Sequence, residues 1–355
     1  MKQLLAQLDE TPTDIELLTT LLDVRGADAE ILRDAATECM HAHVGDNVYF
    51  RGLVEVTNRC HLNCYYCGIR RDRDIPRYTV QADDILAAAR LCSRLGFGSL
   101  VLQSGEIRSD SYVNFICDIV ARIKRETRTV QQPNGLGITL SLGVFSRTQY
   151  QRMFDAGAHR YLLRIETSDD SLFARLHPPA QSLAERFEAL NTLREIGFQV
   201  GTGVMIGLPG QTTRMLAQDV FTFKRLDVDM IGMGPFLPSS DTPMGHAQIL
   251  SSAQRLQLGL NMIAVTRLVC KDINIASTTA LEGLHPHGRL LGLQYGANVA
   301  MPNLTPAENR VNYKLYDDKP TAQSVDGAVA AIESIGRRVA KNVFGDSKHF
   351  FNRCS

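Results

Sequence analysis

The chain has 355 residues, 38 Lys and Arg against 38 Asp and Glu, 44% hydrophobic residues, eight Cys and no Trp. That length buries a sizeable core in one large α/β domain or two ordinary ones. A formal net charge of zero removes the long-range pull toward phosphate, which argues against a dedicated nucleic-acid or anionic-membrane binder. No apolar run approaches the ~18 residues of a membrane span. The opening MKQLLAQLDETPTD is too acidic, and its apolar stretch too short, for a signal peptide. The Cys density is far below that of a disulfide scaffold, so the chain reads as soluble, reduced and cytoplasmic.

The first 45 or so residues read as helical. Thr13 and Glu16 in TPTDIELL match a capping box with Thr13 as the N-cap. Ala, Leu and Cys at helical spacing predict a second helix over 27–43. From residue 50 onward, short β-branched runs alternate with amphipathic stretches. Strands are predicted near 52–57, 99–103, 137–142, 160–165, 199–204, 229–233, 273–277 and 297–301. Helices are predicted near 80–95, 110–127, 146–156, 181–196, 212–226, 251–269 and 285–294. Gly96, Gly157 and Gly197 stand where left-handed helix ends are needed. Alternation of this kind predicts parallel strands with helical crossovers. Eight strands predict an α/β fold, a (β/α)8 TIM-type barrel with N-terminal helices and a C-terminal helical extension. A doubly wound sheet has the same periodicity. The boundaries read as a helical segment 1–48, a barrel 49–316 and an extension 317–355.

In a barrel, chemistry collects at the C-terminal ends of the strands. Polar residues do collect there: Thr57 and Asn58, then Gln103, Ser104 and Glu106, then Thr139 and Ser141, then Arg164 and Glu166. The later strands end in Ser277, Thr278 and Thr279, and in Met301 and Asn303. The first strand also runs into TNRCHLNCYYCGIRRD, which sets Cys60, Cys64 and Cys67 at C-x3-C-x2-C spacing. Three thiolates on one loop can wrap one soft metal centre, as zinc or as an iron–sulfur cluster. A structural zinc site asks for a fourth ligand, and the nearby His61 lies between two of the Cys, where it cannot readily point the same way. A cubane held by three Cys instead keeps one iron open for a small molecule. Tyr66, just before the third Cys, would pack beside the cluster or its ligand.

The other Cys, at 39, 92, 117, 270 and 354, stand singly and read as small buried hydrophobes or, for Cys354, a tail residue. The His41/His43 and His285/His287 pairs read as surface or packing residues. The run IRRDRDIPR at 69–77 reads as a solvated mixed-charge loop over the mouth. Gly203–Gly210, GVMIGLPG, offers close backbone approach for a flat adenine, with Met205 and Gly207 in its middle. It fails as a dinucleotide fingerprint because Ile206 stands where Gly is needed.

The C-x3-C-x2-C loop after the first strand resembles the signature of the radical S-adenosylmethionine (SAM) superfamily. Longer strings, among them VLQSGE, TLSLG, RYLLRIETSD, MIGLPGQT, DMIGMGPFLPSSDTP, ASTTAL and GANVAMPNLTP, resemble the HydE maturases of [FeFe]-hydrogenase from about residue 40 to about residue 316. Biotin synthase and methylornithine synthase share the barrel and the loop but are less similar. A methylornithine-synthase-like amino-acid mutase is therefore the alternative.

The resemblance implies a [4Fe–4S] cluster on Cys60, Cys64 and Cys67 and a SAM site built from Tyr66, Ser104, Gly105, Glu106, Ser141, Glu166, Arg186, Met205 and Gly207. It implies a substrate cavity deeper in the barrel, lined by Arg51, Gln103, Thr139, Arg160, Arg164, Met230, Thr278, Thr279, Met301, Tyr313 and Tyr316. The implied substrate is a small anionic cysteine-derived iron complex carrying carbon monoxide and cyanide, supplied by the maturase HydG. It further implies HydF downstream and a low-potential electron donor, and the zero net charge leads us to expect neither nucleic acid nor membrane as a partner. Some members of the family carry a second cluster on three further Cys. Residues 305–350 contain no Cys, so one cluster is expected.

Overall fold

The computed structural model describes residues 1–317 and 324–354. Eleven strands occur among them: β1 (Asn47–Thr57), β2 (Ser99–Ser104), β3 (Gly137–Ser141), β4 (Arg160–Leu162), β5 (Gln199–Thr202), β6 (Met205–Ile206), β7 (Met230–Ile231), β8 (Gly234–Pro235), β9 (Asn274–Ile275), β10 (Val299–Ala300) and β11 (Arg338–Ala340). All pairings are parallel, in the order β10-β1-β2-β3-β4-β5-β7-β9. The two ends of that path meet at an Ala276–Val299 bridge, with Asn298 N–H donating to Ile275 O at 2.9 Å. The sheet thereby curls into the TIM-like barrel that eight βα repeats predict. Val54, Val56, Leu100, Leu102, Ile138 and Leu140 are fully buried, which is why the strands read as nearly continuous apolar runs.

The helices between strands fall within a few residues of the predicted spans: α4 (Ala82–Arg94), α5 (Asp110–Glu126), α6 (Arg147–Asp155), α8 (Leu183–Ile196), α9 (Thr213–Arg225), α10 (Ser252–Cys270) and α12 (Gly288–Gln294). Gly96, Gly157 and Gly197 take positive φ at the ends of α4, α6 and α8. Ahead of the barrel lie α1 (Lys2–Glu10), α2 (Ile15–Leu22) and α3 (Ala27–His43), with α2 packed on α9 and α3 on α10. The cap of α2 is Asp14, one residue later than the Thr13 expected; its carboxylate accepts from the N–H groups of Glu16 and Leu17. Asp outranks Thr at this position and its charge complements the helix dipole. Glu16 consequently sits too early to close a capping box.

Two features depart from the pattern reading. A short helix, α7 (Asp170–Leu176), follows β4 and packs beside the cysteine loop. The C-terminal extension is also only partly helical. It contains α14 (Val325–Ser334), then β11, which pairs with the start of β1, then α15 (Lys348–Cys354). Between β11 and α15, residues 344–347 cross the N-terminal ends of the barrel strands. Gly345 O accepts from Arg51 and Asn274, both at 2.9 Å, Phe344 O accepts from Ser99 at 2.6 Å, and Ser347 N–H donates to Gln199 at 3.1 Å. The barrel is thus stoppered below by its own tail. Among the described residues, no helix is long and apolar enough to cross a membrane.

Candidate active site

The cysteine loop leaves β1 at Thr57 and is tied down at intervals by its own backbone. His61 N–H donates to Glu106 O at 2.9 Å, Tyr65 N–H to Leu176 O at 2.9 Å, and Gly68 N–H to Leu315 O at 2.8 Å. The loop is therefore fastened to the end of β2, to α7 and to the segment after β10. Cys60, Cys64 and Cys67 face one cavity of about 320 Å³ at the C-terminal mouth of the barrel. Leu62 N–H and Glu106 N–H both point at Cys60 Sγ, at 3.4 and 3.3 Å, and the Gln181 amide donates to Cys64 Sγ at 3.5 Å. Burial pushes all three thiols upward, Cys64 to about 11 and Cys67 further still, so the metal-free thiols are protonated at neutral pH. Loading a metal centre on them must release protons.

The Ser104-Gly105-Glu106 turn lies against this loop. A Cβ on Gly105 would sit 2.2 Å from Arg59 O and 2.8 Å from Cys60 Cβ, so only Gly permits the approach. Glu106 is buried; it accepts from Val144 N–H at 3.0 Å and pairs with Arg108 at 2.6 Å. Gly143 accommodates it with φ 102°, because a Cβ there would meet the Glu106 carboxylate. Across the cavity, Arg164 pairs with Glu166 at 3.0 Å and donates to Val204 O at 2.9 Å. Arg186 donates to Arg164 O at 2.7 Å. Burial works against its charge, but Tyr66, Glu106, Cys64 and Glu166 outweigh that and hold the guanidinium pKa above its ordinary value. Tyr66 stands edge-on to His177, with ring centroids 5.6 Å apart.

Of the predicted SAM-site residues, Tyr66, Ser104, Gly105, Glu106, Ser141, Glu166, Arg186 and Met205 line the same cavity as the Cys. Gly207 does not; it turns with φ 78° beside Arg255, and its N–H donates to Gln211. The close approach at Gly203 is to Gly232 O, between strands, rather than to an open surface.

The predicted substrate residues divide into two layers. Gln103, Arg164, Thr278, Thr279, Met301, Tyr313 and Tyr316 line the cavity, with Gln103 donating to Tyr313 at 3.2 Å and Thr279 and Tyr316 hydroxyls 3.2 Å apart. Arg51 and Arg160 lie below it, bonded to the C-terminal stopper, with Thr139 and Met230 beside them. Arg160 is fully buried, pairs with Asp346 and donates to Thr139 at 2.9 Å, while Arg51 donates to Met230 Sδ at 3.3 Å.

Glu55 was not anticipated. It lies on β1, is 2% exposed and lines the cavity. The signal was present, since an acid in the middle of the buried run GLVEVT has no structural excuse. The run at 69–77 also differs from expectation. Arg71 and Asp72 are a solvated pair, but Arg73 donates to Gly68 O and Ser239 and pairs with Asp241 at 2.6 Å. His41 pairs with Asp46 at 2.5 Å on the surface, and the His285 and His287 rings lie 5.8 Å apart beside α12.

The donor set suits an iron–sulfur cubane. Three thiols from one loop face one cavity, and a cubane takes one thiolate per iron. The N–H groups aimed at Cys60 Sγ are suited to a ligand sulfur.

The Radical SAM superfamily model matches residues 54–222. The chain is 38% identical to the "[FeFe] hydrogenase maturase subunit HydE" of Thermotoga maritima, over 99% of this chain and 98% of that protein. It is 24% identical to the 3-methylornithine synthase of Methanosarcina acetivorans, over 88% of this chain and 85% of that one. In fold it is similar to a crystal structure of methylornithine synthase, with a TM-score of 0.79 at 22% identity, covering 96% and 98% of the two chains. The mouth of this barrel and the near full-length identity agree: the chain belongs to the HydE family of [FeFe]-hydrogenase maturases, within the radical SAM superfamily.

Proposed function

We propose that this enzyme carries a single [4Fe–4S] cluster and acts on a small anionic iron complex bearing cysteine, carbon monoxide and cyanide, on the way to the hydrogenase H-cluster. The observation that carries the reading is the shared cavity: the three Cys, the Ser104-Gly105-Glu106 turn, Glu166 and Arg186 line it together with Thr278, Thr279, Met301, Tyr313 and Tyr316. When bound, the cluster supplies the electron that cleaves SAM to a 5'-deoxyadenosyl radical.

The remaining chemistry belongs to the chain. Cys60, Cys64 and Cys67 would hold the cluster through three of its irons, with SAM at the remaining one. Arg186, kept charged by its acidic surroundings, suits the SAM carboxylate. The carboxylates of Glu106 and Glu166 suit its ammonium group, and Ser141 and Met205 border the space for its nucleoside. The substrate shares this cavity, where Gln103, Thr278 and Thr279 offer hydrogen bonds to cyanide nitrogen and carboxylate. Met301 presents a polarizable surface to iron and sulfur. Tyr313 and Tyr316 exclude water, so that a carbon radical meets only the substrate.

One experiment tests the whole reading. The purified chain, reconstituted anaerobically, is added to a hydrogenase activation mixture that contains HydG, HydF, a low-potential donor and the apo-hydrogenase but lacks HydE. Recovery of hydrogenase activity is expected. Failure to recover it, with SAM cleavage intact, would mean a different substrate and favour an amino-acid mutase.

A further inference from the structure

The half-buried Arg77, just ahead of α4, is the hub of the cysteine loop. Its guanidinium donates to Asn58 O at 2.6 Å and Ile69 O at 2.8 Å through one nitrogen. Through the other it donates to Arg70 O at 2.6 Å, Arg73 O at 2.8 Å and Arg71 O at 3.3 Å. These carbonyls belong to the two flanks of the loop: Asn58 lies two residues before Cys60, and Ile69 two residues after Cys67. Arg77 is itself fixed to the barrel. Tyr78 N–H donates to Asn58 Oδ1 at 2.9 Å, and Asn58 returns a bond to Pro76 O at 2.8 Å and another to Asn312 O at 2.9 Å. Irregular backbone that turns its carbonyls inward must find donors for them. The four terminal N–H groups of a planar fork, one of them shared between two carbonyls, meet that need where a Lys, with three on one atom, cannot.

We propose that Arg77 is a positioning residue that clasps both flanks of the cysteine loop, holding the three thiols ready for iron and keeping a fixed cation against the loop that would carry the cluster. The second half of the inference rests on the reading of the Cys as cluster ligands; the first does not. The cation favours the more negative, reduced state of the centre, and the clasp slows its loss.

The test uses full-length Arg77→Lys and Arg77→Gln beside the parent. In the iron-free proteins, amide exchange across residues 58–73 should quicken at least about tenfold in both variants, since charge-assisted hydrogen bonds are lost. Exchange in α5 should stay unchanged, which shows that the fold persists. After reconstitution, both variants should release iron to a chelator several-fold faster. The reduced cluster should titrate at a lower potential in the Gln variant, with the Lys variant nearer the parent. Unchanged exchange across 58–73 in both variants overturns the clasp. Equal midpoint potentials in all three proteins overturn the electrostatic role. If neither the parent nor the variants take up iron, the cluster reading fails, while the exchange result still decides the clasp.

Discussion

Glu166 has a left-handed backbone, φ 66°, although it is not glycine. Such a residue costs of order 1–3 kcal/mol and persists only where its neighbours dictate it. Here they do: Glu166 N–H donates to Gly203 O at 3.0 Å, and Glu166 O accepts from Met205 at 3.0 Å. Two residues on, Asp219 of α9 accepts from both Ser168 N–H and Ser168 Oγ at 2.6 Å. The kink that turns Glu166 toward Arg164 is thus held from both sides. Burial raises the Asp219 carboxyl to about 7, against the two hydrogen bonds that favour its charge. Its folded pKa lies above the unfolded value, so its contribution is fully present below about pH 4 and is lost as pH rises toward about 7. Asp219→Asn should therefore flatten the fall in thermal midpoint between those pH values, as followed by circular dichroism. Gly105→Ala is a second residue-scale case. Its Cβ has no room beside Arg59 O, so the variant should lose about 1–3 kcal/mol and much of its iron. Denaturant titration and iron analysis check both effects. The alternation of Arg164 and Glu166 was visible in the sequence. Asp219 was not, because its partner comes from another element.

At the scale of elements, the C-terminal tail carries the most structural consequence. Arg160 is fully buried and its carboxylate partner, Asp346, comes from the tail. Burial opposes the Asp346 charge, but the His159 hydrogen bond and Arg160 outweigh it and hold the carboxyl below its usual range. Asp346→Ala should leave an uncompensated guanidinium in the core and cost about 3–5 kcal/mol, measurable by denaturant unfolding.

Helix α15 adds an ionic latch: His349 bridges Asp227 at 2.8 Å and Asp272 at 2.9 Å, and Arg353 reaches Asp229 at 3.0 Å. Asp272 and burial act oppositely on His349, and the net effect raises its pKa; Asp272 is lowered to about 2. The His contribution is full below its ordinary value and is lost as pH climbs through the raised one. The Asp272 contribution is present above the ordinary carboxylate value and is lost as pH falls toward about 2. The latch should hold best in the mildly acidic window between, with amide protection in α15, relative to intrinsic exchange at each pH, falling on the alkaline side. The segment at 343–347 has no hydrophobic period, so nothing local foretold that it stoppers the barrel. Its hydrogen bonds depend on strand ends distant in the chain.

For the whole molecule, anaerobic reconstitution should yield about four irons per chain, as one cubane requires, because residues 305–350 offer no Cys for a second. Alanine at Cys60, Cys64 or Cys67 should abolish both the visible absorption and SAM cleavage; surviving cleavage would refute the cluster assignment. The reading of Cys354 as a tail residue concerns a side chain outside the described residues. What the amino-acid order determined by itself was local: eight βα repeats, the left-handed glycines, the Cys spacing and the polar strand ends. Each is written within a few residues, where period and backbone geometry act directly. Only the tertiary structure decided which of those residues share the cavity, that Arg51 and Arg160 lie below it, and that Arg77 clasps the cysteine loop. Those facts depend on how far each strand is staggered in the barrel and on which donors fold over to meet buried carbonyls. Such encounters join residues far apart in the chain, and no local pattern encodes them.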